Sequence, residues 1–230
     1  MLPHVRYIEV EKGAGEMPEH FTGVVFSNEF FDALPVHVAR FDQGQWIDRL
    51  VGAGEQGLVW VDGGPCAPPV AEYLRRNVSS PAQGQIVEVS LEALDWLRRI
   101  AGALERGFVL TIDYGYTAEE IAGGKRFPQG SLMSYRRHQA YEDVLCDPGG
   151  LDITAHVNFA ALAARGEELD LRPSPLQTQA QFLLSIGGRE DFQTAVAGDT
   201  EQQIQRHRLL LKTLLAGMGE TFRVLVQQKA

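Results

Sequence analysis

Residues 90–115, SLEALDWLRRIAGALERGFVLTIDYG, decide the fold. Leu91, Leu94, Leu97, Ile100, Ala101 and Leu104 recur at helical spacing. Ser90 offers a side-chain oxygen to the free amides of the first turn, and Gly107 is expected to stop the helix. Phe108-Val109-Leu110-Thr111-Ile112 follows at once as an apolar strand ending in Asp113-Tyr114-Gly115. A helix delivered into a strand with no room for a hairpin is half of a βαβ unit, so the spacing predicts an α/β fold. Toward the N-terminus, Gly23-Val24-Val25-Phe26-Ser27 is a continuous apolar run that stops at Asn28-Glu29. Continuity rather than alternation suits a strand covered on both faces, as in a parallel sheet. Between these strands, residues 36–62 carry short apolar runs divided by Gly44, Gly52, Gly54 and Gly57, which predicts a small antiparallel meander. Gly63-Gly64-Pro65 and Pro68-Pro69 are expected to break it. Toward the C-terminus, Tyr116 to Leu151 reads as a long irregular, functional loop. Helices are expected after Asn158, after Thr178 and from about Glu201, with a closing strand at Phe222–Val226. The chain reads as one domain, residues 1–230, with an inserted antiparallel hairpin region at about 36–62.

Composition narrows the function. Of 230 residues, 44% are hydrophobic and 22% charged, which is globular rather than disordered. Lys and Arg total 21 against 30 Asp and Glu, a net charge of −9, so nucleic acid is a poor partner. No apolar run approaches the roughly 18 residues that cross a bilayer. The N-terminal MLPHVRYIEVEKG resembles neither a secretion signal nor a transit peptide, which leads to the expectation of a cytoplasmic protein. Cys66 and Cys146, far apart, favour a reducing compartment and speak against a thiolate metal cluster.

In open α/β sheets ligands bind beyond the carboxyl ends of the strands. One strand here ends in Asn28-Glu29 with Asp32 close behind, the other in Asp113-Tyr114. If the two are neighbours, three carboxylates, an amide and a phenol share one rim, able to bind a cationic group and accept its proton. The plainer reading is that Glu29 and Asp32 cap the following turn and Asp113 begins the next. His156, flanked by apolar residues, reads first as a hydrogen-bonded core residue. Tyr135-Arg136-Arg137-His138 is a basic island that could grip an anion or simply be solvated. Asp113, Asp152, His138 and His156 show no ligand spacing, so no metal is expected. There is no Gly-x-Ser-x-Gly elbow and no evidently activated cysteine. Lys12-Gly13-Ala14-Gly15-Glu16 looks superficially like a cofactor loop, but Met17-Pro18 interrupts any helix after it, and it reads as a turn.

The stretch Ser27-Asn28-Glu29-Phe30-Phe31-Asp32-Ala33-Leu34-Pro35-Val36-His37 resembles the signature of the MidA family of S-adenosylmethionine-dependent methyltransferases. Further matches follow in order at Ile112–Tyr116, Gly130–His138, Asp147-Pro148-Gly149, Asp152–Phe159, Thr178-Gln179 and Gly217–Phe222. The resemblance runs from about residue 21 to the end. It implies a Rossmann-like class I methyltransferase sheet, S-adenosyl-L-methionine as cofactor, and methylation of a protein arginine. Mitochondrial members act on a respiratory complex I subunit during assembly. Carried onto this chain, it implies Glu29 and Asp32 as guanidinium-orienting residues. Asp113, Tyr114 and His156 support them, and Asn28 and Phe30 lie nearest the cofactor.

Family members open with a segment carrying a glycine-rich cofactor turn and an acidic ribose ligand, and neither is evident here. Asn28-Glu29 would close the fourth strand of such a sheet, so three βα units, at roughly 30 residues each, have no counterpart. The expectation is a C-terminal portion with a bare strand edge, prone to oligomerise through it. The competing expectation is a non-catalytic assembly or protein-binding module derived from the same fold.

Overall fold

In the computed structural model the described residues are 6–9, 17–136 and 139–230. The Lys12–Glu16 turn and residues Arg137 and His138 of the basic island lie outside them. The first half contains β1 (Phe21–Asn28), β2 (His37–Asp42), β3 (Gln45–Gly54), β4 (Gly57–Pro65), α1 (Pro68–Asn77), β5 (Ile86–Val89), α2 (Leu91–Ala103) and β6 (Leu104–Tyr116). Next come α3 (Ala118–Ile121), β7 (Met133–Arg136), β8 (Gln139–Tyr141), β9 (Asp152–Thr154), β10 (Val157–Asn158) and α4 (Phe159–Glu167). The chain closes with β11 (Arg172–Pro173), β12 (Gln177–Thr178), α5 (Gln179–Ile186), α6 (Arg189–Ala195), α7 (Glu201–Leu215), α8 (Met218–Thr221) and β13 (Phe222–Lys229).

Helix α2 forms for the expected reasons. The Ser90 hydroxyl accepts from the Ala93 amide at 3.2 Å, and Ala93, Trp96, Leu97, Ile100 and Ala101 are buried on one stripe. Its end differs from expectation. The helix stops at Ala103 and the chain enters β6 directly, so Gly107 is not a helix stop but a strand residue. Its φ of +141° lies outside the range of side-chain-bearing residues, and a Cβ there would overlap the Gly23 carbonyl oxygen of β1. Gly107→Ala is therefore expected to destabilise the fold by at least about 3 kcal/mol. Urea denaturation would measure this, and a loss below 1 kcal/mol would show that the two strands can separate cheaply.

The main sheet has the order β1-β6-β13-β11, with β10 also pairing β6 and β12 pairing β13. Strands β1 and β6 are parallel, Val24 opposite Phe108 and Asn28 opposite Ile112, whereas β13 runs antiparallel to β6. Helices α2 and α4 cover one face, where Phe31, Trp96, Leu97, Ile100, Val109, Phe159, Leu162 and Leu225 pack together. The other face contradicts the expected two-sided burial of β1. Burial alternates along the strand, and Val24 and Phe26 are each 61% exposed. The physical reason is position: β1 is an edge strand, and among the described residues no helix covers its outer side.

A second, antiparallel sheet has the order β4-β3-β2-β5. Strand β5 belongs to it, so the sheet reaches Val89, well past residue 62. Pro68-Pro69 does not break the structure but starts α1, since the first turn of a helix needs no amide donors. Val70, Tyr73, Leu74, Val87, Val89, Tyr116 and Ile121 form the second core between this sheet and its helix. The stretch read as irregular, Tyr116 to Leu151, holds α3 with a capping box at Thr117 and Glu120, and contributes β7 and β8 to a small sheet with β9. Asn158, Thr178 and Thr200 each cap the helix that follows, as their positions predict.

Candidate functional site

The parallel register of β1 and β6 brings both carboxyl ends to one rim. Asp113, fully buried, ties the two ends together. Its Oδ2 accepts from the amides of Phe31 at 3.0 Å and Asp32 at 3.3 Å, and its Oδ1 accepts from the Tyr114 amide at 2.9 Å. The turn after β1 is thus held by a carboxylate from the neighbouring strand, not by its own acids. Glu29 sits at the bend with φ +49°, a left-handed conformation uncommon outside glycine, and its amide donates to the Ile112 carbonyl at 3.1 Å. Its side chain is exposed and accepts from the Asn28 amide nitrogen at 3.2 Å. Asp32 is 4% exposed and its Oδ1 is buried without a partner. Its backbone carbonyl accepts from the Ala155 amide at 2.9 Å, linking the turn to the segment that carries His156.

Electrostatics separate the three acids. Burial, then the neighbouring charge of Asp32, pushes Asp113 up to about 8 against three backbone donors. Burial, then Glu29, pushes Asp32 up to about 6. Both buried acids are thus pushed toward their neutral forms, Asp113 further than Asp32, and they titrate as a pair beneath the exposed Glu29 side chain. Burial first, then Glu29 and Tyr135, raises the Tyr114 phenol. The Tyr114 ring stacks on Phe222 at 3.9 Å and lies 6.2 Å from the His156 ring. Burial lowers the His156 imidazole, with Arg126 adding to the effect, so the ring is neutral at pH 7. The ring packs 4.5 Å from Phe127.

The structure therefore gathers Asn28, Glu29, Asp32, Asp113, Tyr114 and His156 around one rim. Phe30 is turned partly away: its ring is half-buried, edge-on to Phe31 and Trp96, both at 5.2 Å. Of the basic island, Arg136 pairs with Asp147 and donates to the Gly150 carbonyl, so its role here is local.

Sequence reasoning missed Glu88. Buried in β5, it accepts from the Ser131 amide at 3.0 Å and hydroxyl at 2.8 Å, while that hydroxyl accepts from the His156 amide at 3.0 Å. Desolvation raises its carboxyl despite these bonds. The signal was available, an acid inside the apolar run Ile86-Val87-Glu88-Val89. Ser131→Ala removes two of these bonds and leaves part of a buried carboxylate unmet. The expected cost is about 2–3 kcal/mol in urea denaturation, and an unchanged midpoint would show that the Glu88–Ser131–His156 hydrogen bonds contribute nothing to stability.

Fold and rim define an α/β protein with a cluster of polar side chains at the carboxyl ends of two parallel strands, the place where open α/β sheets bind ligands. Residues 3–175 match the family of S-adenosyl-L-methionine-dependent methyltransferases, and the chain belongs to that family. It is 28% identical over 222 residues to the protein arginine methyltransferase NDUFAF7, mitochondrial, of Bos taurus, covering 91% of this chain and 46% of that one. The Drosophila melanogaster homologue is 31% identical over 155 residues, 63% of this chain and 32% of that one. A crystal structure of a COG1565 superfamily protein from Burkholderia thailandensis bound to S-adenosyl-homocysteine superposes with a TM-score of 0.82 at 29% identity. It covers 94% of this chain and 56% of its own. The chain thus spans between about a third and a half of the length of these curated relatives.

S-adenosylmethionine is the cofactor of this family. The exposed Asn28 amide can receive a polar group of it at the end of β1. The described residues include no glycine-rich turn after a strand to take the rest. The larger of the two described cavities, about 20 Å³ between Phe31, Tyr73, Glu88 and Asn158, has room for a water, far below the roughly 300 Å³ of a ligand pocket. Among the described residues no helix is long and apolar enough to cross a membrane.

Proposed function

We propose that this chain supplies the substrate-binding half of an S-adenosylmethionine-dependent methyltransferase acting on an arginine side chain of a protein. The observation that carries the reading is the acidic rim: Glu29 and Asp32 offer two carboxylates at the end of β1, steadied by buried Asp113. Guanidinium is planar, cationic and a poor nucleophile, so it needs carboxylates to orient it and to take its proton. When bound, the cofactor supplies an electrophilic methyl on a sulfonium. With that methyl supplied, Asp32 and Glu29 would align the guanidinium so that one of its nitrogens faces the methyl. The released proton passes to Glu29, the exposed member of the pair. Tyr114 and neutral His156 wall the site and limit water. Asn28 holds the cofactor's polar side, with the outer edge of Phe30 beside it.

In this reading the main sheet is the C-terminal portion of a Rossmann-like class I sheet, the 37–89 antiparallel sheet is an insertion, and the described residues include no glycine-rich cofactor turn. Strand order and the 56% coverage of the cofactor-bound relative support it. The protein-arginine specificity, and a respiratory complex subunit as substrate, rest on the named relatives and the family resemblance. A bacterial cytoplasmic setting rests on the sequence reading alone, and the eukaryotic relatives are named as mitochondrial. The test joins this chain to a cofactor-binding half and supplies methyl-labelled cofactor with arginine- and lysine-containing proteins. Label recovered in methylarginine supports the reading, and label in lysine or carboxylate esters overturns it.

One observation favours a second reading, a non-catalytic protein-binding module. The β3–β4 ribbon exposes Leu50, Val51, Leu58, Val59 and Val61 at 41–51%, with Glu55 the single charge between residues 50 and 61. Capture of a defined complex subunit without cofactor, and no methyl transfer in the joined protein, would favour this module.

A further inference from the structure

Beyond the aromatic wall of the rim stands a second charged group. From Tyr114, close enough to Glu29 to feel its charge, the wall runs to the His156 ring at 6.2 Å and on to Phe127 at 4.5 Å. Arg126 lies over the Phe127 ring, its Cζ 4.7 Å from the centroid. Arg223 reaches the same place from β13, where it sits opposite Asp113 and next to the Phe222 that stacks on Tyr114. Both guanidinium groups turn to one acid. Glu120 Oε1 accepts from Arg126 and, at 3.2 Å, from Arg223, while its Oε2 accepts from the Thr117 amide at 2.8 Å.

The group carries one positive charge more than a bridge needs. Two cations share a carboxylate whose oxygens are both engaged, and the exposed neighbours Lys125 and Glu119 offset each other. The Nε of Arg223 is buried without a partner among the described residues, while the two arginine side chains keep 38% and 23% of their surface open. Partly exposed ion pairs add little to stability, so the fold alone gives small reason for the second arginine. A carboxylate is what the pair lacks: it accepts at two oxygens and matches the fork of donors that a guanidinium presents. An incoming acid is otherwise repelled by a chain of net charge −9. Extended peptide advances about 3.3 Å per residue, so a wall two rings long is spanned by a few residues. We propose that Arg126 and Arg223 receive an acidic side chain of the same protein substrate whose arginine is held at Glu29 and Asp32, so that the site selects an arginine with an acidic residue a few positions away. This rests on the guanidinium reading of the rim given above. A substrate with a basic residue in that place meets like charge, which sharpens the choice.

The test measures binding of fluorescent peptides to this chain by anisotropy, with no methyl transfer required. Each peptide carries one arginine and one glutamate, the glutamate placed one to four residues to either side. At least one spacing is expected to bind, and changing its glutamate to glutamine should weaken binding by at least about tenfold. In Arg126→Gln and in Arg223→Gln the same peptide change should cost less than about threefold, because the group that reads the glutamate is reduced. Thermal melts check that each variant is folded, and either variant suffices should the other fail. Arg126→Lys keeps the charge and should keep most of the glutamate preference, which a purely structural role does not give. Equal affinity for the glutamate and glutamine peptides overturns the proposal, as does a glutamate preference unchanged in the arginine variants. No binding by any peptide at about 1 mM overturns it too. Binding of S-adenosyl-homocysteine that weakens in both arginine variants would give the pair to the cofactor's carboxylate instead. Failure of the rim reading shows separately: affinity is then indifferent to Glu29→Gln and to loss of the peptide arginine, while the glutamate preference persists.

Discussion

Glu29→Gln, in a polypeptide that joins this chain to a cofactor-binding half, is expected to lower methyl transfer by roughly 10²- to 10⁴-fold. Cofactor affinity should stay within about twofold. The substitution is close to isosteric. Glutamine keeps an oxygen for the Asn28 amide, 3.2 Å away, and the backbone bend at φ +49° is left as it is. What disappears is the charge that aligns a guanidinium and the base that receives its proton. The side chain is exposed, so the folded state loses little, and a thermal melt should move by no more than a degree or so. Steady-state kinetics with a separate calorimetric titration distinguishes the outcomes. Full activity would remove Glu29 from the chemistry. A collapse of cofactor affinity with turnover preserved would make it a cofactor ligand instead.

The second large effect is in stability against pH. Asp113 and Asp32 are both raised, to about 8 and about 6, by burial and by neighbouring acids. The folded state therefore holds protons that the unfolded chain has released. The pair's contribution to stability is fully present below about pH 4 and is lost as the pH rises toward 8, the two acids titrating together. The slope is about 1.4 kcal/mol per pH unit for each proton held only by the folded state. Urea midpoints between pH 4.5 and 9 would read it. Asp113→Asn keeps an acceptor for the Phe31 and Asp32 amides but does not titrate. It should cost stability at pH 5, where the Tyr114 amide loses its partner, and flatten the decline toward pH 8. An equal slope in the variant would assign the pH dependence elsewhere, with buried Glu88 the first alternative.

Whatever depends on neighbours along the chain was legible. The Ser90 cap, the periodic stripe of α2 and the apolar run of β6 carry their own instructions, because capping and burial act within a few residues. The rim was legible in part, since Asn28-Glu29 and Asp113-Tyr114 each close an apolar run. That Asp113 holds the other strand's turn, rather than its own, depends on parallel pairing between residues more than eighty positions apart. Gly107 shows the same limit. Its sequence neighbours suggest a helix stop, yet it is demanded by the Gly23 carbonyl across the sheet. Pro68-Pro69 looked like punctuation because proline usually ends structure, while at the first turn of α1 its missing amide costs nothing.

By itself, then, the sequence determined an acidic α/β chain, the helices that begin at its caps, and the polar groups that end two strands. Local propensity, periodicity and capping need no distant partner to act. Only the tertiary structure decided which acids are buried and pushed toward the neutral form, which is exposed, and which side of β1 is left open. Burial, desolvation and strand pairing are set by what lies across the sheet, and that is not encoded at any one position.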